Sequence, residues 1–212
     1  MTDPMIFYYA RTACSLAPHV ALEEVGANFE ARRVDLASGQ QTSPEFLAIN
    51  PAGRVPALVI EGRTVTEVPA LLTYAASLNP DAGLVPTTGS LSYARCFEWL
   101  GFLSSSLHVA YAQFRRPVRF VGDDFACVDA LVEHGRANTI ASYREVERRL
   151  GDGWAAGETY SIADIYLLPF HGWAWRFDFD IEKECPKWTA LVRRASERPA
   201  VVRALERESS DD

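Results

Sequence analysis

Lysine is almost missing from this chain: among its 212 residues it stands only at Lys183 and Lys187, and arginine carries the rest of the positive charge. Positive charge is also outnumbered, leaving a formal net charge of -7. A phosphate backbone needs a concentrated basic face. The short runs Arg115-Arg116 and Arg148-Arg149 read instead as solvated helix faces, so a nucleic-acid partner is not expected. No uninterrupted apolar run is long enough to cross a bilayer, and no basic stretch followed by an apolar one opens the chain. A membrane partner is therefore not expected, and cytoplasmic residence is. Cysteine is sparse and scattered. Cys14, Cys96, Cys127 and Cys185 form no CxxC pair and no metal-type spacing, which suits reduced thiols and speaks against both a disulfide framework and a metal site. Internal repeats and low-complexity tracts are absent as well.

What is present is apolar surface. Hydrophobic residues make up 48% of the chain against 23% charged, enough for a fold that needs no disulfide or structural metal. Met5–Tyr9 (MIFYY) reads as a strand, and Ser15–Val25 as a helix with Pro18 in its first turn and Gly26 as its stop. Phe29–Leu36 reads as a second strand and Pro44–Ile49 as a short helix. Val55–Ile60 and Arg63–Thr66, joined at Glu61-Gly62, carry a hairpin signal. Pro69–Leu78 is again helical. After the breakers Asn79–Gly83 only helical patterns remain, over Leu91–Tyr111, Phe125–Leu150, Ile162–Trp175, Trp188–Arg194 and Ala200–Glu208. The expected architecture is βαβαββα over residues 1–84 followed by an all-helical domain over 88–212, with an acidic tail Glu208–Asp212 that frays.

Several residues have the chemistry of a site. Cys14 stands directly before the first helix, where free amides and the macrodipole favour an anion and lower a thiol pKa from about 8.5 to roughly 3.5–7.5. It is either a thiolate, a donor to one, or a small residue filling a turn. Val55-Pro56 places a proline at the mouth of a strand, where a cis bond would present the Val55 backbone to an extended peptide and a trans bond would not. Glu67-Val68-Pro69 brings a carboxylate and free amides to one helix start, suited to a zwitterion or simply to capping. His108 faces either core or cleft. Trp173, Trp175, Phe177 and Phe179 are packing first and an apolar wall second. Ser161-Ile162-Ala163-Asp164 has capping-box spacing with Tyr160 and Ile165 as a staple, a structural motif.

Together, YYARTACSLAPHVALEEVG, FLAINPAGRVPAL, TEVPALLTYAASLNP, EWLGFLSSSLH and the Ser161–Asp164 box followed by Tyr166 and Leu167 resemble the cytosolic glutathione transferases, most closely the bacterial beta class, over nearly the whole chain. The resemblance implies an α/β thioredoxin-like domain that holds glutathione as co-substrate, an all-α domain that takes a small apolar electrophile, and a homodimer acting in detoxification. It implies a cis bond before Pro56, with the Val55 backbone pairing the cysteinyl residue. Cys14 and His108 become the catalytic residues, and Ser15, Arg54, Val55, Pro56, Glu67 and Val68 the glutathione site. Tyr111, Phe114 and Trp173 border the second-substrate pocket. The chain departs from the beta-class pattern in four places. Ala37–Gln41 lacks a lysine, Val68 replaces a Gly or Ser, Gly101 stands for an asparagine, and Val109 for a lysine. Arg54 or Arg11 offers a substitute anchor. Three functions compete: conjugation of glutathione thiolate to an electrophile, thiol-disulfide exchange through Cys14, and a non-catalytic ligand- or protein-binding role.

Overall fold

The structure, a computed structural model, describes residues 4–122 and 125–210. Its first domain is a four-stranded sheet made of Met5–Tyr9 (β1), Phe29–Arg33 (β2), Ala57–Ile60 (β3) and Arg63–Thr66 (β4), in the order β2-β1-β3-β4. β1 lies parallel to β2 and antiparallel to β3. A parallel pair needs a crossover, and Leu16–Glu24 (α1) supplies it. Pro44–Ile49 (α2) is started by Ser43, whose hydroxyl accepts from the Phe46 amide at 3.3 Å. The β3–β4 hairpin turns at Glu61 and Gly62, both at positive φ as a two-residue turn demands. Val68–Leu78 (α3) completes this thioredoxin-like unit.

Two strands are shorter than expected, each for a local reason. β2 stops at Arg33 because the Asp35 carboxylate accepts from the Ala37 amide at 2.9 Å and turns the chain. β3 starts at Ala57 because Pro56 has no N–H to give the ladder.

The second domain is helical: Leu91–Phe102 (α4), His108–Arg115 (α5), Val118–Val121 (α6), Val128–Arg149 (α7), Ile162–His171 (α8), Ile181–Glu184 (α9), Pro186–Ser196 (α10) and Pro199–Ser209 (α11). α6 and α9 span four residues each, too short for a helical period to register in the sequence. The tail does not fray where expected: α11 runs to Ser209, and Asp211 and Asp212 lie outside the described residues. The helix expected over Leu91–Tyr111 is interrupted by a π-helical segment, Leu103–Leu107. One inserted residue rotates everything after it by about 100°. His108 and Tyr111 therefore face a direction that an unbroken helix would not give them. α5 and α7 touch backbone to backbone at Gly135, where a Cβ would sit 2.6 Å from the Phe114 amide nitrogen.

One core joins both domains, with Phe7, Leu22 and Leu72 in the same cluster as Ile162, Ile165 and Phe170. α8 is its axis: every residue from Ile162 to Phe170 is buried. A carboxylate inside that axis needs partners, and Asp164 has them. It accepts from the Ala155 amide at 2.7 Å, the Ser161 amide at 2.8 Å and the Ser161 hydroxyl at 3.0 Å, closing the expected capping box. α11 in turn clamps α1, through Arg198 to Glu24 at 2.5 Å, Arg203 to Glu23 at 2.8 Å, and a buried contact between His19 Nδ1 and Glu208 at 3.1 Å. The helix that carries Cys14 at its start is thus fixed by the end of the chain.

Candidate active site

A cavity of about 1060 Å³ opens between the two domains. That matches the upper end of ligand clefts, roughly 300–1,000 Å³, and leaves room for a tripeptide and a second molecule. Cys14, Arg54, Val55, Pro56, Glu67 and Val68 line it from the thioredoxin-like side, and His108, Tyr111 and Trp173 from the helical side. Two residues expected in the site are elsewhere. Ser15 is fully buried, its hydroxyl spent on the Ala10 amide and carbonyl at 3.1 Å each, where it closes the turn that presents Cys14. Phe114 does not line the cavity and packs edge-on against Tyr111 and Phe177. Among the described residues no group of three or more His, Cys, Asp or Glu side chains is arranged to hold a metal ion.

The thiol of Cys14 reverses the expectation drawn from its position. Burial pushes it up to about 12, and the negative charge of Glu67 adds to the rise; Arg116 and Arg119 pull the other way without prevailing. The helix start gives less help than a free one would, because the Leu16 and Ala17 amides are taken by the Ala13 and Cys14 carbonyls at 3.2 Å. At neutral pH Cys14 is a protonated thiol. It donates to the Val55 carbonyl at a sulfur–oxygen distance of 3.8 Å.

The Val55–Pro56 peptide bond is cis. Glu67 has φ 70°, as unusual for a non-glycine residue as Thr12 at 56°, and both line the cavity. Such backbone costs on the order of 1–3 kcal/mol and gathers at functional sites. At Glu67 it turns the chain into α3, whose first residue, Val68, has no carbonyl of its own helix to bond with its amide.

On the helical side, Tyr111 and Trp173 stack with ring centroids 4.4 Å apart, and His108 lies against Trp173 at 5.4 Å. Burial, helped by the nearby Arg119, Arg116 and Arg54, pushes His108 down to about 4, so it is a neutral imidazole at pH 7. Trp173 Nε1 donates to the Thr12 carbonyl at 2.8 Å, and Arg176 donates to the Thr12 hydroxyl at 2.6 Å and the Tyr111 hydroxyl at 3.0 Å. This latch ties the helical domain to the turn that holds Cys14. Arg176→Ala is expected to lower stability by about 1–2 kcal/mol and to speed alkylation of Cys14 by a thiol reagent several-fold. A thermal melt and an alkylation time course check this; unchanged values for both would mean that the turn is held by Trp173 alone.

Against this geometry, two family models match the chain: the glutathione S-transferase N-terminal domain over residues 3–77 and the glutathione S-transferase C-terminal domain over 129–194. The glutathione S-transferase GstA of Escherichia coli O157:H7 is 32% identical across 96% of this chain and 98% of its own. The chain belongs to the glutathione S-transferase family. Among solved structures, a glutathione transferase homologue from Sulfitobacter with bound glutathione superposes with a TM-score of 0.89 at 31% identity, covering 96% of this chain and 98% of that one. The bacterial beta-class glutathione S-transferase of Sphingomonas chungbukensis gives 0.82 at 36% identity, with the same coverage. The two-domain architecture and the beta-class resemblance expected from the sequence hold.

This glutathione S-transferase also has site features that the sequence did not disclose. Arg115 and Arg116, expected on a solvated face, line the cavity together with Arg119 and Arg176. The other run behaves as expected, since Arg148 and Arg149 both pair with Glu145 on the surface of α7. No periodicity separates the two cases; only the break at Arg116-Pro117 hints that the first run leaves its helix. Among the described residues no helix is long and apolar enough to cross a membrane.

Proposed function

We propose that the protein conjugates glutathione to small electrophiles. The observation that carries this is a shared cavity in which Cys14, Val55 and Val68 of one domain face His108, Tyr111 and Trp173 of the other. In this reading the backbone of Val55 pairs with the cysteinyl residue of glutathione. The Val68 amide and Glu67 take the two charges of the γ-glutamyl end, and Arg54 replaces the missing lysine at the glycyl carboxylate. Cys14, protonated, donates its S–H to the glutathione sulfur as the latter becomes a thiolate, and the neutral His108 is a second donor from the facing wall. The thiol proton leaves to water. The thiolate then attacks the electrophilic carbon, forming the carbon–sulfur bond as the leaving group departs with its electron pair. A buried protonated Cys14 favours this over thiol-disulfide exchange, which needs Cys14 itself as the nucleophile. The homodimer, cytoplasmic residence and role in detoxification that the resemblance implies belong to the same proposal.

The test is turnover of 1-chloro-2,4-dinitrobenzene with glutathione, read as the absorbance of the thioether. Saturable turnover above the uncatalysed rate is expected. A rate equal to that of glutathione in buffer would remove the proposal and leave a non-catalytic binding role.

A further inference from the structure

The chain as a whole is acidic, yet its cavity is basic. Seven arginines line it against two carboxylates, Asp35 and Glu67. Asp35 is held in its own loop by the Ala37 and Ser38 amides and stays charged, so the count is seven cations against two anions. Several arginines elsewhere are paired with carboxylates: Arg32 with Glu30, Arg144 with Glu184, Arg198 with Glu24, Arg203 with Glu23. In the cavity, among the described residues, no acceptor takes a hydrogen bond from the side chain of Arg54, Arg116 or Arg119 and no carboxylate pairs with one. These three sit close enough to disturb one another. Arg119 is held below the ordinary guanidinium range by burial and by the charges of Arg116 and Arg54. Three mutually repelling cations around a cleft, with no counter-ion among the described residues, are a site for an anion from outside.

Glutathione brings carboxylates, but in the reading above it places them at the start of α3 and at Arg54, both on the thioredoxin-like side. Arg116 and Arg119 reach the same cavity from the helical domain, so a single glycyl carboxylate at Arg54 leaves a surplus of positive charge beside it. A single tight turn after α5 presents them together, the Arg119 amide bonding the Arg116 carbonyl at 3.1 Å. The helical domain also brings Tyr111 and Trp173 to this cavity. We propose that the second substrate of this cavity is a small aromatic carboxylate rather than a neutral apolar compound, its carboxylate held by Arg116 and Arg119 and its ring against Tyr111 and Trp173. The proposal rests on the conjugation reading for the word substrate, and on the arginines alone for the preference. With a chloronitrobenzoate the step balances as before. The glutathione sulfur bonds to the ring carbon, chloride leaves with the carbon–chlorine electron pair, and the thiol proton goes to water.

Binding and turnover test the two layers separately. Calorimetry with glutathione present compares 3-nitrobenzoate with 3-nitrobenzamide, which differ in charge and little in shape. The carboxylate is expected to bind about 10-fold or more tightly, with the advantage shrinking as salt is raised and lost in Arg116→Gln/Arg119→Gln. Equal binding of the two, or a preference that survives in the double variant, overturns the inference. Turnover of 4-chloro-3-nitrobenzoate and 4-chloro-3-nitrobenzamide is then measured, each relative to its own uncatalysed rate. A carboxylate preference in binding with no turnover of either compound removes conjugation and keeps the anion site. Turnover of both with equal relative rates keeps conjugation and removes the anion site.

Discussion

Asp164→Ala is expected to melt roughly 10 °C below the wild type, a loss of about 3 kcal/mol or more in a chain of this size. The magnitude comes from what the substitution leaves behind. The Ala155 and Ser161 amides, now bonded to Asp164 at 2.7 and 2.8 Å, would be orphaned inside a helix buried along its whole length. Asp164→Asn keeps one acceptor and should fall between. The carboxylate is itself burdened by its surroundings: burial pushes Asp164 up to about 6 from 3.8, outweighing the amides that favour its charged form. The folded state therefore holds this proton where the unfolded chain has already released it. The associated stability is fully present below about pH 4 and is lost as pH rises through about 6. Because the asparagine does not titrate, the stability difference between wild type and Asp164→Asn should narrow as pH climbs from 4 to 7. Urea unfolding across that range checks it; a difference independent of pH would mean that the carboxylate is as comfortable inside the protein as in water.

The same residue marks what a sequence can disclose. A capping box is local, four residues that bond to one another, so Ser161–Asp164 could be read before any coordinates. The Glu61-Gly62 hairpin and the α2 start at Ser43-Pro44 are local in the same way, and they appear where the residues put them. The π segment at Leu103–Leu107 was not legible, since it shifts the helical period by one residue inside Leu-Ser-Ser-Ser-Leu, where three serines carry no apolar phase that would show the shift. Cys14 shows a third case. Its place before a helix was legible, but its ionisation depends on how much of both domains closes over it, and burial reverses the direction that position implies. Ser15 fails for a related reason, as its hydroxyl looks like a ligand contact in sequence and is consumed by the Ala10 turn in space. Arg116 and Arg119 are the sharpest case. A pair of charged residues carries no mark of whether water or a cleft lies in front of it, and only the fold decides.

Cys14→Ala should lower kcat/KM for conjugation roughly 100-fold while changing the affinity for glutathione little, because the interaction it removes is made to the thiolate and hardly at all to the thiol. The S–H now donates to the Val55 carbonyl at 3.8 Å, which fixes its place beside the backbone that glutathione is proposed to pair with. Pushed up to about 12, the Cys14 thiol keeps its proton across the working range, so it remains a donor while the glutathione sulfur loses its own. Two consequences separate a donor from a nucleophile. Cys14→Ser retains a hydroxyl donor and should recover much of the lost rate, whereas thiol-disulfide exchange would be abolished in serine and alanine alike. The rising limb of the kcat profile should move to higher pH in Cys14→Ala, because the bound thiolate has lost a stabilising partner, and move back in Cys14→Ser. In the free protein, a titration with iodoacetamide should label the exposed Cys127 well before the buried Cys14. If mass spectrometry after mild oxidation instead found a glutathione adduct on Cys14 formed faster than labelling of Cys127, the sulfur would be acting as a nucleophile, and the hydrogen-bond account of the thiolate would have to be given up.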